Sequence, residues 1–318
     1  MSSDADFAAR IAARYPEGLT GVIAVGGTRT AYILERRRSH PDPGQIEDYA
    51  DYARYALHHY LRLVSDFFEL GGRYVVVPCL SYQAFYERGA AYHQIILEHA
   101  LHLLDDEAVA VYRQYDADPY FVGIDTLLHL PAEQPAHQFG AKFECFMQAW
   151  PYQEGRRKVL FEIAPIPLYS FWNAQRTVPA DEQQALAAAV DQTDDMHELY
   201  RVLFAHYARA AFGTEIPVPH FYVGTNRSGD LKLRSMLPIA LLAGGPFRLF
   251  YLSYPSLMMT REALRAIIED VAFGGEPAAN ANAYDYAGQF STGQVQAAYQ
   301  HIMAQVADPR SILGFKRG

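Results

Sequence analysis

The sequence predicts one α/β domain built on a mainly parallel central sheet covered by helices, with a helical C-terminal tail. Three observations predict it. Short β-branched apolar runs (GVIAV at 21–25, RYVVVP at 73–78, KVLFEIA at 158–164) alternate with longer stretches of helical periodicity. Glycines stop those periodic stretches, Gly71 and Gly72 after one and Gly213 after another. Half of the 318 residues are hydrophobic, enough for a large core, and no linker-like break cuts the chain before residue 274. The expected layout is an α/β domain over 1–273, and a connector and helix over 274–318 packed on the same domain.

Each element follows from local pattern. A short helix over 7–15 leads through Pro16 and Gly18 into the strand at 21–25, which ends in GGTRT at 26–30. Tyr49, Tyr52, Ala56, Tyr60, Leu63 and Phe67 recur at helical spacing, so a helix runs from Asp48 to Leu70. Then follow the strand at 73–78, a helix near 90–104, strands at 119–124 and 158–164, and a helix over 194–212. The strand at 220–224, an apolar segment at 236–242, the strand at 247–252 and a helix over 260–273 complete the domain. The stretch 274–282 is small and polar, and 292–306 makes one more helix.

Composition excludes several function classes. A net charge of −9 argues against non-specific nucleic-acid binding, which draws its affinity from clustered Lys and Arg. The longest apolar runs, 73–80 and 237–242, are far too short to span a bilayer, and the N-terminus lacks a signal-peptide pattern, so the expectation is cytoplasmic, with no transmembrane segment. Cys79 and Cys145 sit in apolar strings and read as buried free thiols.

In parallel sheets ligands bind beyond the carboxyl ends of the strands, which directs attention to two loops. In GGTRT, Gly26 and Gly27 let backbone N–H groups approach a ligand, Thr28 adds a hydroxyl and Arg29 a forked cation for phosphate oxygens. The same residues also suit a plain turn. After the 220–224 strand, Arg227, Lys232 and Arg234 supply further cations on the ligand edge, or else form a solvated basic loop. Two other motifs have stronger bland readings. Asp194, Asp195 and Glu198 in DDMHE imitate a magnesium motif, yet acids favour the first turn of a helix anyway. His93, His99 and His102 share a predicted helix but lack a third ligand at known spacing, and read as a partly exposed face.

The string VIAVGGTRTAYILE, followed by a Tyr-rich helix and FFELGGRYVVVPCLSYQAFYERG, resembles the tuberculosinol synthase-like diterpene synthases of the cis-prenyltransferase fold. Gly27, Thr28 and Arg29 match the family's Asp-Gly-Thr-Arg-Arg-Trp loop, and Tyr49, Asp51 and Tyr52 match its helix opening. Residues 241–268 and the closing ADPRSILGF extend the likeness. The resemblance implies an isoprenoid (diterpenyl) diphosphate as partner, Arg29, Tyr49, Tyr52 and Asp51 as catalytic residues, Mg2+ as cofactor and a homodimer. The departures are specific. The loop Asp falls on Gly26, a second acidic pair falls near Tyr82 and Gln83, and NRSGDLKLRS at 226–235 disturbs the stretch that holds isopentenyl diphosphate in chain-elongating relatives. The expected activity is ionisation of a bicyclic diterpenyl diphosphate to an alcohol or olefin. The alternatives are a non-catalytic prenyltransferase-like subunit, and prenyl transfer to a small nucleophile.

Overall fold

The computed structural model describes residues 3–37, 46–81, 96–225, 233–237, 247–274 and residue 303. Its centre is a six-stranded sheet: β1 (Leu19–Ile23), β2 (Gly72–Leu80), β3 (Ala117–Val122), β4 (Arg157–Ile163), β5 (Phe221–Thr225) and β6 (Arg248–Leu252). The spatial order is β3-β4-β2-β1-β5-β6 and every pairing is parallel.

Side chains alternate across this sheet, and both faces are covered. Val22, Val76, Leu160 and Tyr222 point into one core, whereas Ile23, Val75, Val77, Val159, Phe161, Phe221 and Val223 point into the other. The second, larger core takes in α1 (Asp4–Arg14) through Phe7 and Ile11. It also receives α3 (Tyr49–Glu69) through Leu61, Val64, Phe67 and Phe68. α2 (Thr28–Tyr32) precedes α3 and runs on as a π-helical turn to Arg37. Asp48 starts α3 by accepting the Asp51 N–H at 2.9 Å, satisfying one orphan donor of the first turn.

The middle of the chain holds five helical pieces: α4 (Asp106–Gln114), α5 (Asp125–Leu128), α6 (Pro135–Ala149), α7 (Pro167–Thr177) and α8 (Ala180–Asp191). α9 (Met196–Phe212) covers the smaller core with Phe204, Ala208 and Phe212, and α10 (Arg261–Phe273) returns to the larger one with Leu264 and Ile268.

The predicted strands are all present, with ends displaced by up to two residues. Helices α2, α4, α5, α6, α7 and α8 were not anticipated. α8 buries no side chain, so it lacks a hydrophobic stripe, while Pro135 and Pro167 at the first helical positions were start signals that went unread. The helix near 90–104 is described only from Ile96, and its last turn, Ala100–Leu104, is 3-10. Cys145 is exposed on α6, which corrects the expectation of two buried thiols; Cys79 is half-buried. No helix among the described residues is long and apolar enough to cross a membrane. The helix expected at 292–306 lies outside the described residues apart from Met303, and the connector at 274–282 apart from Gly274.

The topology itself selects a place for a ligand. The connection leaving β1 runs towards β2, while the one leaving β5 runs the opposite way to β6. Adjacent strands whose exits diverge leave a crevice at their carboxyl ends.

Candidate active site

The turn after β1 is fixed from below by one buried hydroxyl. Ser256, fully buried, accepts the Gly26 N–H at 2.8 Å and the Thr225 hydroxyl at 2.9 Å, and donates to the Ala24 carbonyl at 3.0 Å. The ends of β1 and β5 are thereby tied to the turn after β6. Gly27 then enters α2 with φ 74°, and a Cβ there would sit 3.0 Å from Pro255, so only glycine fits without strain. The Gly26 amide is committed to Ser256, which corrects the expectation that both glycines present N–H groups to a ligand. A Cβ on Gly26 would lie 3.1 Å from Thr225 Oγ1, so a side chain at this position would crowd Thr225.

Above this turn lies a cavity of about 540 Å³ at the carboxyl ends of the strands. Gly26, Gly27, Thr28 and Arg29 line it from the loop, Tyr49 and Tyr52 from α3, and Arg234 from the 233–237 segment. Residues 200 positions apart in sequence are thus brought to one wall. Arg29 and Arg234 are both exposed, and a guanidinium nitrogen of Arg234 comes within 3.9 Å of the Cβ position at Gly26. Asp51 is not in this group. It turns away from Tyr49 and Tyr52 and accepts the Tyr32 hydroxyl at 2.8 Å, beside a separate cleft with Glu35, Arg36 and His58, because successive helical residues diverge by 100°. Arg227, Lys232, Tyr82, Gln83 and His93 lie outside the described residues.

A smaller apolar chamber of about 160 Å³ adjoins the cavity. The two share Thr28, Tyr52, Tyr60, Cys79 and Leu80, and the chamber continues to Ala56, Leu57, Ile96 and Leu103. Thr28 and Tyr52 join hydroxyls at 2.6 Å across the border. His99 and His102 also reach this chamber, their rings stacked at 5.7 Å. His102 Nδ1 pairs with Asp105 at 2.6 Å, and desolvation lowers the His99 pKa below its ordinary value. They form part of the chamber wall rather than a mere surface face.

Sequence reasoning missed Glu162. It sits in the last turn of β4's pleat, 2% exposed, and lines the cavity. Its Oε1 accepts the Ser235 hydroxyl at 2.6 Å and the Met236 N–H at 2.8 Å. Burial pushes its pKa up to about 7, against the opposing pull of those two hydrogen bonds. A signal was available: an acid inside the apolar run KVLFEIA is a buried charge that requires an explanation.

Among the described residues the donor set does not make a cage for Mg2+. The cavity wall offers one carboxylate, Glu162, and among the described residues no group of three or more His, Cys, Asp or Glu could hold a metal ion. DDMHE lies at the opposite, amino-terminal end of the sheet. There Asp195 caps α9 by accepting the Glu198 N–H at 2.8 Å, and Glu198 pairs with Arg201 at 2.9 Å. Glu198 and Arg201 border a larger cleft of about 680 Å³, but the cations of that cleft are engaged. Arg201 also pairs with Glu17, Arg156 with Asp116 and Asp118, Lys158 with Thr214 and the Glu215 carbonyl, and Arg73 with the Gly155 carbonyl. We place the site at the carboxyl ends, where the strand connections diverge, despite the larger cleft.

No protein-family model matches the chain, and no curated protein matches it. Among solved structures the chain is similar to lavandulyl diphosphate synthase from Lavandula x intermedia, in complex with dimethylallyl diphosphate. The identity is 14%, the TM-score 0.53, and the alignment covers 82% of this chain and 98% of that one. A probable undecaprenyl diphosphate synthase from Campylobacter jejuni aligns at 11% identity with a TM-score of 0.49, covering 82% of this chain and 98% of that one. At such identity a likeness speaks to architecture. The parallel six-stranded sheet and its helical cover form a cis-prenyltransferase-like α/β fold.

Proposed function

We propose that this protein binds an allylic isoprenoid diphosphate, with the diphosphate in the cavity beside Arg29 and Arg234 and the hydrocarbon in the adjoining chamber. The observation that carries the reading is the continuity of the two spaces through Thr28, Tyr52, Tyr60, Cys79 and Leu80. One end offers guanidinium groups suited to phosphate oxygens, and the other offers apolar and aromatic walls.

The reaction that fits is heterolysis of the allylic C–O bond of a bicyclic diterpenyl diphosphate. The electron pair leaves with the diphosphate, whose added charge the two arginines stabilise. The carbocation rests against the faces of Tyr49, Tyr52 and Tyr60 until water adds to give an alcohol or a neighbouring proton leaves to give an olefin. Incubation with geranylgeranyl, halimane-type and clerodane-type diphosphates, with products identified by mass spectrometry and diphosphate release measured, tests this. A new diterpene alcohol or olefin is expected; no product above the uncatalysed background from any of them overturns it. The same incubations with small nucleophilic acceptors separate hydrolysis from prenyl transfer.

A second reading, binding without turnover, is favoured by the packing around Gly26. A side chain at position 26 would crowd Thr225, and the turn is locked by Ser256. Saturable binding of the diphosphates with no release would select it.

A further inference from the structure

We propose that Glu162 is the acid of this cavity, holding the proton that neutralises the diphosphate and standing in for the carboxylate that the turn after β1 lacks. The proposal rests on the diphosphate-binding reading given above.

Four observations support it. Glu162 is the one carboxylate lining the cavity among the described residues. Its two hydrogen bonds among the described residues both arrive at Oε1, and we assign the proton to Oε2. Its near-neutral pKa suits proton exchange at ordinary pH. Its surroundings do not compete. Tyr207 of α9, Tyr222 of β5 and Cys79 of β2 feel its charge, and burial raises the pKa of each. They stay uncharged while Glu162 titrates, and Arg234 lies in the same cavity wall.

The relocation has a steric reason. A side chain at position 26 would crowd Thr225, with its Cβ 3.1 Å from Oγ1, whereas residue 162 lines the same cavity from β4. The step balances. The C–O bond breaks and its electron pair leaves on the diphosphate; the Oε2–H proton passes to a diphosphate oxygen; Glu162 remains as carboxylate and regains a proton from solvent when the product departs.

A purely structural role is the competing account, since Glu162 also anchors Ser235 and Met236. Glu162→Gln separates the two, because a glutamine carbonyl accepts both hydrogen bonds but cannot release a proton. The experiment is titration calorimetry with inorganic pyrophosphate and with geranylgeranyl diphosphate, in EDTA, in two buffers of different ionisation enthalpy. The bound anion disfavours the carboxylate, so at pH 7 the wild type is expected to take up roughly half a proton more than Glu162→Gln. Equal uptake by the two overturns the proposal and leaves the binding reading intact. Failure of the wild type to bind either compound overturns the binding reading, and this proposal with it.

In turnover, Glu162→Gln is expected to lose about 100-fold in kcat and to lose the fall in rate that the wild type shows above about pH 7. An unchanged profile would leave Glu162 as an anchor only. Ser235→Ala keeps the test decisive if the glutamine variant does not fold. It removes one donor to the carboxylate, so the pH of maximum proton uptake is expected to move upward; an unmoved maximum overturns the proposal.

Discussion

The two ends of the sheet solve the same electrostatic problem in opposite ways. At the amino end, cations and acids are matched in pairs: Arg201 with Glu17 and Glu198, and Arg156 with Asp116 and Asp118. At the carboxyl end, Arg29 and Arg234 line a cavity in which, among the described residues, Glu162 is the single acid. Each end also holds a titratable group whose neutral form desolvation favours. His220, just before β5, accepts the Thr20 N–H at 3.1 Å and is pushed down to about 4, while Glu162 near the end of β4 is pushed up to about 7. Charges matched within the protein build a scaffold. At the carboxyl end, where diverging strands open a crevice, the cations line a hollow.

The contrast can be broken or sharpened by experiment, and the largest expected effect is on stability against pH. Folded Glu162 binds its proton more tightly than the unfolded chain does, so its contribution is complete below about pH 4.5 and is lost as pH rises through about 7. His220 has the opposite sign: its contribution is present above about pH 6.5 and is lost as pH falls through about 4. The two slopes oppose each other between those limits. Between about pH 4.5 and 7.5, Glu162→Gln should gain about 3 kcal/mol relative to wild type in denaturant unfolding. A constant gap would remove the claim that Glu162 is held neutral by burial.

Next in size is a charge reversal at each end. Arg234→Glu is expected to weaken pyrophosphate binding about 100-fold, and Arg201→Glu to change it by less than about twofold. Equal losses in calorimetry would dissolve the distinction between the ends. Smaller is the effect of Ser256→Ala. It strips the Gly26 amide and the Thr225 hydroxyl of their shared partner and should cost about 2 kcal/mol in unfolding free energy. Arg201→Ala, which removes an exposed pair at the amino end, should cost less than about 1 kcal/mol. The smallest effect is steric. Ala56→Phe narrows the apolar chamber and should raise the Kd of geranylgeranyl diphosphate about tenfold while leaving inorganic pyrophosphate unchanged. A parallel loss for both ligands would show that the chamber does not house the hydrocarbon.

Several parts of the site were legible in the sequence because they depend on neighbours in the chain. The turn Gly26–Arg29 ends a buried strand, and Tyr49 and Tyr52 were singled out by the resemblance at the opening of α3; both groups line the cavity. Helical spacing directs Asp51 away from Tyr49, and the structure seats it against Tyr32. Glu162 was not legible as a cavity residue. Its role depends on Ser235 and Met236, more than 70 residues later, whose donors meet its carboxylate. The same holds for Ser256, which says nothing locally about the turn 230 residues before it. Helix α8 was missed because it buries no side chain and so shows no apolar stripe, whereas α6 carries one in Ala136, Phe139 and Phe143 behind the start signal of Pro135.

By itself, then, the sequence determined the alternation of strands and helices, the parallel sheet and the glycine turn, since backbone propensity and hydrophobic period act over a few residues. The tertiary structure alone decided which cations meet across the crevice, that Thr225 crowds position 26, and that a buried glutamate faces the same hollow. Desolvation and contact depend on what the rest of the chain places nearby, and no local pattern encodes that.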